Sequence, residues 1–345
     1  MTIEPTRLRA SALGAGFAAL VVAVVAGLGV GPVGIAPRAV LYALVDTIPG
    51  LSADSGLSSI HEAIVQEVRL PRVVLGLLVG ATLSVSGAAY QGAFRNPLVD
   101  PYLLGVAAGA GLGATIAITQ NLGDGAGLVD LVPLSAFAGA LFAVVLSYGA
   151  GYIGGRSTAS LVLAGVAVAS FLTACQTYVL QANSDAFREV YSWILGRVAT
   201  SGWSEPMLLL PYFVVAVAVM LRYRRALDIL AVGDEEAQAL GIDPRRVRIH
   251  VVVAASLGAA AAVSVSGLIG FVGIIVPHVV RLVFGTSYRV LIPLSILFGG
   301  AFMVLADLAA RTLVEPAELP IGVVTAFLGA PFFVVVLRTS RREVW

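Results

Sequence analysis

The sequence predicts an all-α membrane protein of ten transmembrane helices with an inverted internal repeat. Three observations carry this. Of 345 residues, 59% are hydrophobic and 12% charged, where soluble domains average about 25% charged. Ten apolar runs approach the ~20 residues that a helix needs to cross hydrocarbon. The tetrapeptide SVSG at 84–87 returns at 264–267, and in the same register Pro97 meets Pro277 and Gly105 meets Gly285.

The runs cover 11–31, 70–91, 102–120, 131–154, 160–181, 205–222, 249–268, 271–285, 290–310 and 321–338. The first follows Arg7 and Arg9 and is too long for the apolar core of a cleaved signal, so it reads as an uncleaved span. The eighth is short and adjoins a glycine-rich bend. Gly76 with Gly80, and Gly109 with Gly113, have the spacing that lets helices approach closely in lipid. GAGLGA at 109–114 follows no strand and is not read as a nucleotide loop. Placing the N-terminus inside puts most arginines on the cytoplasmic side, leaving Arg38, Arg69, Arg72, Arg188, Arg197 and Arg311 outside. Both termini are then cytoplasmic. The repeat copies fall in spans two and seven, an odd number of crossings apart, so they run in opposite directions. Inverted repeats mark transport folds.

Several functions are excluded. All 21 basic residues are arginine, so the lysine of a nucleotide-binding P-loop is missing. Any ATP-driven work belongs to another chain. The single cysteine, Cys175, forms no disulfide within the chain and reads as a small hydrophobe. His61, His250 and His278 are scattered without metal-ligand spacing. No nucleophile and base stand together, so the chain is not expected to be an enzyme and binds no cofactor of its own. Asp307 is the one acid well inside a span. Arg311, four residues on, suits a structural pair more than a proton relay. An ion-coupled secondary transporter and a membrane receptor or scaffold are therefore the rival readings.

Between spans six and seven lies GDEEAQALGIDPRR. Asp234 can cap a short helix, and Glu235 and Glu236 join it at the positive dipole end. Gly241 is a natural C′ stop. Asp243 can cap a second helix with Pro244 at its first position. A rigid knob about 10 Å long, on a connection longer than the usual 4–6 residues, suits docking into another protein.

GDEEAQALGI resembles the coupling-helix motif of bacterial ABC importer permeases for iron-siderophores, heme and vitamin B12, the FecCD type. The similarity extends to RLPRVVLGLLVGATLSVSGAAYQGAFRNPLVDPYLLGV at 69–106, SGLIGFVGIIVPHVVRL at 266–282 and LADLAARTLVEPAELPIGVVTAFLGAPFFVVVL at 305–337. The resemblance implies one permease domain over 1–345 with the type II ABC importer fold, in the bacterial cytoplasmic membrane. Its coupling segment would be 223–248. It implies a second permease copy, identical or a close paralogue, two ABC ATPase subunits using ATP and Mg, an extracytoplasmic binding protein, and no nucleic acid. Gly233, Asp234, Glu235, Glu236, Ala237, Leu240, Gly241 and Ile242 would enter the ATPase cleft. Arg69, Arg72 and Arg311 would receive acidic residues of the binding protein, although snorkelling also explains the first two. Asn96, Leu98 and Thr158 match the cytoplasmic gate, where helix capping is the alternative for Asn96 and Thr158. Ala159 takes a position often polar in relatives, which blurs that gate. Residues 185–198 resemble a short outer helix suited to a lid, whose Tyr and Trp serve equally as interface anchors. The implied cargo is a metal chelate, a ferric siderophore ahead of heme and cobalamin.

Overall fold

A computed structural model describes residues 8–31, 34–46, 56–122, 130–155, 158–198, 202–314 and 317–340; Arg7 lies outside them. The described residues hold helices and no strand. Seven helices are long and apolar enough to cross a membrane, and three shorter apolar helices accompany them. The ten are α1 (Ala10–Gly29), α4 (Leu70–Phe94), α5 (Val106–Thr119), α6 (Leu131–Ile153), α7 (Thr158–Ala182), α9 (Ser204–Leu230), α11 (Pro244–Ser266), α12 (Val272–Phe284), α13 (Tyr288–Thr312) and α14 (Ile321–Ser340). Each falls on one of the ten apolar runs. Four short α-helices accompany them among the described residues: α2 (Pro37–Asp46), α3 (Ser59–Ala63), α8 (Phe187–Ile194) and α10 (Asp234–Ala239).

Composition decides which helix is central. α4 is rich in Gly, Ala and Ser, so neighbours approach it closely, and it packs against α13, α11, α9 and α12. Its most apolar stretch is 83% buried, against 17% for α7. A methyl group at Gly80 would strike the carbonyl of Gly299, and one at Gly87 the carbonyl of Gly273. At Gly76 a methyl would meet only ordinary contacts, at 3.5 Å and beyond, so only one member of that pair is needed. Gly109 and Gly113 both press on α6, at the carbonyls of Gly139 and Ser135. The outer helices expose large apolar side chains such as Leu163, Phe171, Tyr178 and Phe327, as a lipid- or partner-facing surface requires.

Two helices are too short to cross. At 1.5 Å per residue α5 spans about 21 Å and α12 about 20 Å, against a hydrocarbon core of ~30 Å. The third span starts at Val106 rather than 102. Pro97 and Pro101 interrupt the helix, Asp100 accepts from the Tyr102 amide at 2.7 Å, and Gly105 turns the chain at φ 80°. Before α12 the chain breaks at 267–271, where Phe271 itself is left-handed at φ 69°. Backbone at membrane depth needs internal partners, and side chains from other parts of the fold supply them. The Tyr102 hydroxyl donates to the Ile269 carbonyl at 2.9 Å, and Ser147 donates to the Leu104 carbonyl at 2.9 Å.

The 180-residue register does not survive as a structural correspondence. Ser84–Gly87 lies inside α4, whereas Ser264–Gly267 ends α11. Pro97 sits in a turn and Pro277 inside α12. Gly105 precedes a helix and Gly285 follows one. Matching tetrapeptides arise readily in a Ser-, Gly- and Val-rich chain.

Candidate functional site

The first site lies where α9 ends. This helix runs to Leu230, eight residues beyond the expected span, carrying Arg224 and Arg225 past the apolar run. Much of the long connection is therefore helix, and the knob rests on it. Asp228 accepts from the Tyr288 amide at 2.6 Å and from the Ser287 hydroxyl at 2.9 Å. The end of α9 is thereby tied to the turn between α12 and α13.

α10 is a turn and a half long. Asp234 is not its cap, contrary to the sequence reading: Gly233 precedes the helix in extended conformation and Asp234 is its first residue. Its carboxylate is instead taken by Arg248, at 2.6 and 2.9 Å, with Arg95 at 3.5 Å. Two-point Arg–carboxylate pairing fixes orientation as well as distance. Hydrogen bonding to Arg248 holds the Asp234 carboxyl below the usual carboxylate range. The same guanidinium donates to the Ala93 carbonyl at 2.9 Å, so one side chain joins α10, α11 and the last turn of α4. Ala237 is fully buried beneath the knob. Leu240, 67% exposed, and Val232, 73% exposed, project from it, with Glu235 and Glu236 also exposed. Gly241 takes φ 76° and ends the helix. Ile242, half-buried, donates its amide to the Ala237 carbonyl at 2.9 Å. Asp243 caps α11 through the amides of Arg245 and Arg246 at 3.0 and 3.2 Å, with Pro244 at N1, as expected.

Next to this end, Arg95 closes α4 in a left-handed conformation. Asn96 accepts from the Leu98 amide at 3.0 Å, and both residues are exposed. Thr158 opens α7; its side chain lies outside the described residues, as do Arg156 and Ser157.

The second site is at the opposite end. A π-helical turn, Ile64–Arg69, feeds directly into α4. It sets Arg69 to donate to the Leu28 and Gly29 carbonyls at 2.6 and 3.3 Å. Arg311 donates to the Gly27 carbonyl. Two buried arginines thus satisfy the last carbonyls of α1, the negative end of its dipole. Arg72 is engaged differently. It contacts both oxygens of Asp307 at 2.9–3.1 Å and Glu318 at 2.9 and 3.0 Å. Hydrogen bonding to Arg72 keeps Glu318 below its ordinary range. The expected Asp307–Arg311 pair exists at 3.5 Å, but the shorter bonds to Asp307 come from Arg72. Beyond this cluster α8 buries Val190 and Trp193 and walls a cavity of ≈ 630 Å³, together with Arg188, Glu189 and Arg197.

Arg248, Arg95, Asp228 and Glu318 were not singled out from the sequence. Their partners lie 14 to 246 positions away, beyond any local spacing rule. A profile of one transport family matches residues 19–339. The chain belongs to the FecCD transport family.

FecCD membership makes the chain a multi-pass membrane permease, and its relatives agree. It is 39% identical to YvrB of Bacillus subtilis (strain 168), an uncharacterized ABC transporter permease protein, over 95% of this chain and 93% of that one. It is 45% identical to BtuC of Halobacterium salinarum, a cobalamin import system permease protein, over 84% of this chain and 76% of that one. Further relatives are named for Fe(3+)-citrate import and hemin transport. The fold matches an inward-facing ABC transporter of metal-chelate type at TM-score 0.83 and 28% identity, over 96% of this chain and 100% of that one.

Proposed function

We propose that two copies of this FecCD permease form the membrane path of an ABC importer for a metal chelate. Two ATPase subunits supply the ATP and Mg chemistry, and the chain holds no cofactor of its own. The α10 end faces the cytoplasm with both termini, and the Arg72 end faces out. The observation that carries this reading is α10 itself: a short helix clamped by Arg248 while the apolar residues flanking it, Val232 and Leu240, stay exposed. Such a projection is rigid enough to push and shaped to enter a groove. Its closure motion would pass through Arg248 and Arg95 to the last turn of α4, beside the candidate gate of Asn96, Leu98 and Thr158.

At the outer face, Arg72 is the docking arginine that reaches the surface, exchanging Glu318 for a carboxylate of the binding protein. Arg69 and Arg311 support the platform from inside by holding the end of α1. Reversing the charge at Arg72 then weakens binding-protein association, most at low salt. The cargo is a metal chelate, a ferric siderophore with heme and cobalamin as the alternatives. Cobalamin and vitamin B12 permeases stand at 45% and 35% identity, iron chelatin permeases at 38%, and Fe(3+)-citrate and hemin permeases at 33–36%.

Proteoliposomes test the proposal. Uptake of cyanocobalamin, ferric siderophore or hemin is expected only with the partner ATPase, its binding protein and ATP. Uptake driven by a proton gradient alone would overturn it. Leu240→Asp, on an exposed position, should leave folding intact and abolish ATP-coupled uptake.

A further inference from the structure

We infer that the α10 end of each chain carries a binding site for the phosphate of an anionic phospholipid. The site is a cavity of ≈ 210 Å³ between the last turns of α4 and α6 and the first turns of α7 and α11. Arg245, Arg248, Ile249 and Val252, spaced along one face of α11, line it together, with Phe94, Leu161, Tyr148 and Tyr152 completing the wall.

Charge sets the sign of the ligand. Arg248 is neutralised by Asp234. Arg245, an exposed residue, has no carboxylate at ion-pair distance among the described residues. The neighbouring Asp243 pairs with Arg246 instead, at 3.1 Å. The cavity is therefore left with an uncompensated positive charge. Its wall chemistry sets the class. A free phosphate is best held by donors on several sides, but here both cationic donors come from α11 and most of the remaining lining is apolar. A phospholipid satisfies both, with its phosphate on the arginines and its glycerol and acyl roots on the apolar side chains. α6 offers a track for the chain: Phe142, Val145 and Tyr152, exposed by 55%, 69% and 47%, share one helical face that ends at the cavity. Basic pockets between transmembrane helices take lipid head groups by this combination. The site adjoins the Arg248 clamp, so the lipid sits one side chain away from α10.

Native mass spectrometry of the full-length chain, delipidated in detergent and titrated with phosphatidylglycerol or phosphatidylcholine of equal chain length, tests the site. Phosphatidylglycerol should be retained in preference. Arg245→Gln should reduce its retention about fivefold, the factor expected for one arginine near a head group. Arg246→Gln, on an arginine paired with Asp243 outside the cavity, should not. Ile249→Glu places a carboxylate one turn from Arg245 and should also reduce retention without removing a cation. Equal retention of both lipids, or unchanged retention in Arg245→Gln and Ile249→Glu, overturns the site. Displacement of the lipid by an equal concentration of glycerol phosphate shows a free-phosphate site and overturns the lipid assignment.

Discussion

Arg72 and Arg248 each hold an element in place through carboxylates, but at opposite ends of the bundle. Arg72→Gln strands Asp307, whose side chain is 6% exposed. Losing one partner of a buried pair typically costs about 3–5 kcal/mol. Arg311 at 3.5 Å places the expected loss at the low end, about 3 kcal/mol. Glu318→Gln removes a carboxylate that is 53% exposed, and such pairs contribute up to about 1 kcal/mol. Thermal melts in detergent should rank the two in that order, and equal melting would refute the division of labour. The Asp234 clamp also carries a pH signature. Its folded pKa is depressed, so its stabilisation is complete above the unfolded carboxylate value of about 3.9. It is lost as pH falls through the lowered folded value. The melting difference between wild type and Arg248→Gln should therefore be constant from neutral to mildly acidic pH and shrink only in strong acid. At this scale the sequence was partly legible. The Asp307–Arg311 pair and the Asp243 cap follow from local spacing. The Arg72–Asp307 contact joins residues 235 positions apart, which no spacing rule reaches.

Helix crossings are governed by glycines that sit against another backbone. Gly109→Val should force α5 from α6, because a side chain there collides with the Gly139 carbonyl and the Ala143 side chain. Gly14, with nothing within 4 Å of a methyl group, should accept alanine without loss. A melt that ranks these two alike would contradict the packing. Ala237→Pro deletes the bond from its amide to the Gly233 carbonyl, 3.1 Å, and strains a fully buried position. It should unwind α10 and uncouple ATP hydrolysis from uptake, leaving the long helices intact by circular dichroism. Elements were the most legible level. Apolar runs located the ten long or broken helices, and capping chemistry located α10 and the start of α11. The π-helical turn before α4 and the left-handed Phe271 gave no signal, because packing imposes both. The cap at Asp234 was misread because an acid at a helix start serves equally as dipole partner and as ion-pair partner. Only the fold brings up Arg248.

Over the whole molecule, one glycine- and serine-rich helix, α4, is surrounded by others that present bulky faces outward. Composition alone predicted the membrane and the absence of a P-loop lysine. Apolarity could not show which helices are central, since buried and lipid-facing helices are equally apolar. The two interrupted helices have a consequence for synthesis. Neither α5 nor α12 meets the length at which a segment partitions into lipid unaided. The Tyr102 hydroxyl finds its acceptor 167 residues later. Nascent chains stalled before Ser266 emerges should therefore leave the 95–105 segment open to protease, and those extended past Gly285 should protect it. Equal cleavage at both lengths would show that the first half inserts independently. Protection only at the longer length would mean that the bilayer holds an early break whose tie from Tyr102 to Ile269 closes only near the end of translation.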